Sequence, residues 1–169
     1  MQIFYQNDEQ LQDVFDFLLI QKPKDINYVA AYKKIVDEEI VPLFENKNVS
    51  FDLIIPPYFA LWWAKNLENF DELMLPYRYL VEKAAYYKNV RIHWLYDENF
   101  VFDIRYYKDL THYHPLINSL QLSMIKEGQH VINKINFDEK VLAFKSLLKR
   151  IDQEYFFEVF RRNVRLIPR

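Results

Sequence analysis

Phe51-Asp52-Leu53-Ile54-Ile55-Pro56-Pro57-Tyr58 reads as a buried strand that runs into a turn. Its near-continuous apolar, β-branched character suits a strand of a parallel sheet covered on both faces. Pro56 and Pro57 stop it, because neither can donate to a ladder. Downstream, helical spacing covers about 58–67 and 71–87, the second stretch carrying Leu73, Leu80, Val81 and Ala84, with Pro76 near its start. A second strand follows in Val90-Arg91-Ile92-His93-Trp94-Leu95-Tyr96, closed by Asp97-Glu98-Asn99. Upstream, a helix is expected over 27–46 with Val29, Tyr32, Val36, Ile40 and Leu43 on its apolar face, and Pro42 as a kink or a stop.

At the ends the signals continue. Ile3-Phe4-Tyr5 reads as a short strand, and Asn7 with Gln10 as a capping box before Leu11, Val14, Phe15, Leu18 and Leu19. Pro115 is well placed to open a helix over 115–127 that Gly128 closes in a left-handed C′ position. A long last helix is expected from Asn136, boxed by Glu139, through Phe144, Ile151 and Tyr155 toward Asn163. Strands alternating with helices indicate an α/β sheet with right-handed crossovers. Two or three strands are fewer than free-standing parallel sheets use to bury their faces, so the 169 residues read as one domain that is incomplete or borrows a partner.

Composition narrows the chemistry. Half the residues are apolar and 18% are aromatic, which supports a substantial core, and the net charge of −2 supplies no global attraction to nucleic acid. Without cysteine there is no disulfide, thiolate metal site or cysteine nucleophile. With one glycine there is no phosphate-cradling loop, no dinucleotide fingerprint and no G-x-S-x-G elbow, so no cofactor is expected. The first residues lack the basic and apolar regions of a signal peptide, and no run is long enough to span a bilayer. The chain as it stands is therefore expected in the cytoplasm, or in the cell envelope if it is part of a longer protein. Arg161, Arg162, Arg165 and Arg169 complement a helix C-terminus.

Between the second strand and the helix at Pro115 lies Tyr107-Lys108-Asp109-Leu110-Thr111-His112-Tyr113. Asp109 and His112 sit past the carboxyl end of that strand, where open α/β sheets place ligands. A carboxylate beside an imidazole can fix its tautomer and stabilise the cation formed when it takes a proton. The same spacing also fits a surface loop in which the two side chains only bond each other.

This block, with Asn118 in the following helix, resembles the C-terminal block of SGNH/GDSL-type hydrolases and acyltransferases, in a branch with a Y-K-D-x-T-H-Y signature. Residues 51–58 resemble that branch's penultimate strand and its Pro-Pro-Tyr loop, and together the likeness covers about 50–130. The resemblance implies a three-layer flavodoxin-like domain, His112 as general base, Asp109 as its orienter, and Tyr58, Tyr107, Lys108, Tyr113 and Asn118 toward substrate. Its substrate class is an acyl ester, such as one on a carbohydrate. The family's nucleophile is a serine in a Gly-Asp-Ser block, and none of Ser50, Ser119, Ser123 and Ser146 has that context. Tyr5-Gln6-Asn7-Asp8 echoes the family's G-x-N-D block only faintly, with Tyr5 in place of glycine. The expectation is thus the C-terminal part of such an enzyme, inactive alone, its N-terminal half supplied by another chain or a homo-oligomer.

Two other readings stay open. One is a non-enzymatic interaction or oligomerising protein, to which the aromatic pairs Trp62-Trp63 and Tyr86-Tyr87 would contribute surface. The other is a metal site using Asp109, His112 and His114.

Overall fold

The computed structural model describes residues 27–107 and 109–152, with side-chain surroundings from residue 29 onward. The expected strand at 3–5, the helix bearing Leu11 to Leu19, the basic C-terminal run and Lys108 lie outside the described residues. What is described is an α/β fold built on a three-stranded sheet. Helix α1 (Asn27–Ile35) runs through a π-helical turn, Val36–Ile40, into the short α2 (Val41–Phe44). Strand β1 (Phe51–Ile54) follows, then α3 (Ala60–Lys65), a 3₁₀ turn Leu67–Asn69, α4 (Phe70–Ala84) and strand β2 (Val90–His93). Two 3₁₀ turns, Asn99–Phe102 and Ile104–Tyr106, lead to α5 (Pro115–Lys126), strand β3 (Val131–Ile132) and α6 (Phe137–Leu148).

β1 and β2 pair in parallel, with Phe51 opposite Val90 and Ile54 opposite His93. A parallel pair needs a long crossover, which α3 and α4 provide. β3 joins the far side of β2 antiparallel, Ile92 facing Ile132, so among the described residues β2 is central and β1 lies at an edge. Asn89 fixes where the parallel strands start. Its amide Nδ2 donates to the carbonyls of Phe44, Asn46 and Val49 at 2.9–3.1 Å, while its own carbonyl accepts from Phe51 N at 2.8 Å.

Several local expectations change. The π-helical turn adds a residue to one turn, so Phe44 rather than Leu43 faces the core, and Leu43 is exposed. Pro42 accounts for it: a proline inside an α-helix lacks the N–H and crowds the carbonyl four residues back, and widening the preceding turn relieves both. The strand at 90–96 pairs only over Val90–His93. The last helix stops at Leu148, where Arg150 N and Ile151 N turn back to Leu147 O and Leu148 O, so the stripe through Ile151 is not one helix. The box at Asn136 and Glu139 does not form. Asn136 Oδ1 instead accepts from Asn133 N at 2.8 Å, closing the turn that enters α6.

The core is aromatic, and Phe144 of α6 is its hub. Its ring lies 4.6 Å from Tyr96, 5.9 Å from Trp94, 6.1 Å from Phe70 and 6.2 Å from Trp63, centre to centre. Offset and edge-on contacts at these spacings add to the area that such rings remove from water. α4 packs on α1, β2 and α6, and α3 packs on α6. Trp63 is buried in this cluster while Trp62 is half-exposed at its rim, as adjacent aromatics on an amphipathic helix should be.

Candidate functional site

The turn after β1 and the loop that carries Asp109 are built as one unit. Pro56 and Pro57 offer carbonyls and no N–H; Tyr58 N donates to Pro56 O at 2.9 Å within the turn, and the other donors come from outside it. Tyr96 donates its hydroxyl to Pro56 O at 2.5 Å and accepts from Tyr58 N at 3.2 Å. Tyr107 donates to Pro57 O at 2.7 Å, and Phe59 N donates to Leu110 O at 2.9 Å. Burial raises the pKa of both phenols, so each stays a protonated donor. The loop itself is clasped at its base by an antiparallel bridge between Tyr107 and Tyr113 and by His114 N donating to Tyr106 O at 2.7 Å.

Inside that clasp, Asp109 acts first on the backbone. Its Oδ1 accepts from the amides of Thr111 at 2.9 Å and His112 at 2.8 Å, and from the Thr111 hydroxyl at 3.1 Å. The His112 ring folds back over the same carboxylate, Nδ1 lying 2.9 Å from Oδ1 and 2.8 Å from Oδ2. Burial pushes the Asp109 carboxyl up, but the two amides and the ring together outweigh it and hold it below the ordinary carboxylate value. Because an ionised carboxylate only accepts, Nδ1 carries a proton, and in the neutral ring the lone pair then falls to Nε2. The His112 side chain is 76% exposed, and Nε2 has no partner among the described residues. Chemically, this is an imidazole oriented by a carboxylate, with its far nitrogen open to solvent.

The other residues expected toward substrate differ in exposure. Tyr58 is half-buried, its ring 5.4 Å from Trp62 and 6.4 Å from Trp63. Tyr107 is 1% exposed, with its hydroxyl spent on Pro57, so it positions the loop from within the core. Tyr113 packs edge-on against Tyr107 at 6.4 Å, and Asn118 is exposed on α5. His114 Nδ1 accepts from Leu116 N at 3.1 Å and caps α5, which takes that lone pair away from the metal reading. Among the described residues no three histidines or carboxylates are grouped to hold a metal ion.

A second Asp–His pair lies in the sheet, joined by strand register rather than by spacing within one segment, and a third joins His130 Nδ1 to Asp97 Oδ1 at 3.2 Å. Asp52 on β1 faces Arg91 on β2, whose Nε and Nη2 donate to it at 2.7 and 3.0 Å. His93, one step along the same face, reaches Asp52 with Nε2 at 2.9 Å and the carbonyl of Gln129 with Nδ1 at 2.8 Å. Arg91 holds the Asp52 carboxyl below its ordinary value against the effect of burial, with His93 adding to it. A carboxylate in the middle of an apolar strand was the available signal. It needs a partner, and the alternating Arg91 and His93 of the next strand supply it.

The chain matches no known family model, no curated protein and no solved structure. Among the described residues, no helix is long and apolar enough to cross a membrane.

Proposed function

We propose that this chain is the C-terminal part of a three-layer, flavodoxin-like SGNH-type esterase or O-acyltransferase, in which His112 is the general base and Asp109 its orienter. The observation that carries the reading is the pairing of His112 Nδ1 with an ionised Asp109 while Nε2 stays open to solvent. A base needs that geometry to take a proton from an incoming hydroxyl. The contact between the Pro56–Pro57 turn and this loop supports it further, since the two segments that carry the family likeness are joined at 2.7 Å. The substrate class is an acyl ester, with carbohydrate as the acceptor the likeness favours.

A base and its orienter activate nothing without a nucleophile. The chain alone is therefore expected to give no saturable hydrolysis of p-nitrophenyl acetate, and saturable turnover abolished by His112→Ala would overturn that expectation. The positive arm is co-expression with a polypeptide from the adjoining reading frame, where one carries a strand–Gly-Asp-Ser–helix segment. Hydrolysis should then appear and fall by about 10⁴-fold with His112→Ala. Hydrolysis indifferent to His112→Ala would sink the assignment. A second reading, a self-associating α/β protein, is favoured by the edge of β1, which pairs with no further strand among the described residues.

A further inference from the structure

Gly128, Gln129 and His130 carry the chain from α5 into β3, and His130 stands at φ +56°, in the left-handed region. Residues other than glycine seldom settle there, so the surroundings must hold this one in place. On the backbone side, Trp94 N donates to His130 O at 2.8 Å. On the other, the ring spans two carboxylates, with Nδ1 3.2 Å from Asp97 Oδ1 and Nε2 3.0 Å from Glu98 Oε1. Ionised carboxylates only accept, so both ring nitrogens must donate, and only the imidazolium can do that. A neutral ring would turn a lone pair toward one of the two carboxylates and lose that bond. The His130 side chain is 18% exposed, which leaves its protons a way to solvent. Few bonds oppose release of the segment that follows, because β3 pairs with β2 over two residues only.

We propose that this turn is a proton-operated latch, closed with β3 on β2 while His130 is an imidazolium, and opened when the ring gives up one proton. The closed turn then holds one proton more than the open one, so acid favours closure and rising pH favours opening. Histidine changes its charge between about pH 5 and 8, which sets the working range. Asp97 and Glu98 face the ring, and Lys140 of α6 reaches Asp97 Oδ2 at 2.7 Å. Those three side chains leave one negative charge unbalanced, and the imidazolium balances it. Glu139 lies beside Asp97 and Lys140, and Glu127 at the end of α5 accepts from Gln129 Nε2 at 2.8 Å. Across the turn, His93 Nδ1 meets Gln129 O at 2.8 Å, and its far nitrogen meets Asp52, which Arg91 also engages. α5 is thus held at its start by the His114 cap and at its end by the latch, and opening frees one end alone. The inference stands apart from the hydrolase reading, since it uses neither Asp109 nor His112.

Nitrogen NMR of the histidine rings should show His130 with both nitrogens protonated at about pH 5.5 and with one protonated at about pH 8.5. Over the same range the Trp94 amide should lose at least about 10-fold of its exchange protection, after correction for the intrinsic rise of exchange with pH. The Ile55 amide, which donates to His93 O from the other side of β2, should keep its protection. Glu98→Gln supplies an amide that can donate to a neutral ring, so the second ring proton is no longer required. In that variant the loss at Trp94 should shrink to less than about 3-fold. Should the variant fail to fold, the readings on the unmutated chain decide. A His130 ring with a single proton at the acid end overturns the proposal, as does Trp94 protection that ignores pH. So does a loss shared equally by Ile55, which would be a change of the whole fold, or a loss that Glu98→Gln leaves as large.

Discussion

Of the three Asp–His pairs among the described residues, two stand in opposite circumstances, while the third joins His130 to Asp97 at 3.2 Å. His112 and Asp109 sit three residues apart in a clasped loop, with the ring 76% exposed and one nitrogen unengaged among the described residues. His93 and Asp52 come from two strands, with the ring fully buried and both nitrogens bonded. The first arrangement leaves the imidazole free to exchange a proton. The second uses its whole hydrogen-bonding capacity to tie β1, β2 and the turn before β3 together. A carboxylate beside an imidazole is therefore compatible with a base only when the far nitrogen is accessible.

The most direct way to break this comparison is to make one substitution in both places. His93→Ala removes a buried ring and strands the Gln129 carbonyl, and should cost about 2–4 kcal/mol in urea unfolding. His112→Ala should stay within about 0.5 kcal/mol of the parent. Equal losses would mean that the exposed pair is structural too. A smaller effect sharpens how the loop is held. Tyr107→Phe deprives Pro57 of its donor and should cost about 1 kcal/mol, with chemical-shift changes concentrated at 56–59 and 107–113. Unchanged shifts at 107–113 would show that the strut does not position the loop.

The smallest effect is in acid. Asp52 titrates below its ordinary value in the folded state, so its contribution is fully present above about pH 4 and disappears as pH falls through the folded-state value. Asp52→Asn should flatten the acid limb of the stability curve by less than about 1 kcal/mol, because half-exposed Arg91 is screened by solvent. A steeper limb in the variant would reverse the assigned sign.

The exposed pair was legible because everything it needs is local. Asp109 reaches two amides and a ring within three residues, so D-x-x-H in one loop is enough to draw it. The buried pair depends on strand register, which no spacing within Phe51–Ile54 or Val90–His93 reveals by itself. The fold divides along the same line. The β-branched run of β1, the run of β2 and the stop at Gly128 are strong local signals. Gly128 has φ +67°, and Gln129 N donates to Met124 O as the Schellman turn requires. β3 is two residues long, too short for a period to register, and it exists because Val131 and Ile132 pair with His93 and Ile92 while Trp94 N donates to His130 O. The 3₁₀ turns between 99 and 106 carry no periodic signal and take their shape from Phe100, Val101 and Ile104 entering the core. The shift from Leu43 to Phe44 needed the π-helical turn, whose proline was visible but whose consequence for the facing side was not.

Gly128 has a reach beyond the helix it ends. A methyl group built on its Cα would lie 3.2 Å from Arg91 Nη1, on a backbone that L side chains seldom adopt. Any replacement there therefore meets strain and also presses on the guanidinium that balances Asp52. This turn is partly exposed, yet a side chain is disfavoured there by backbone and neighbour alike. Its vacancy of side chain is what lets the end of a surface helix lie against the charge pair holding two strands in register.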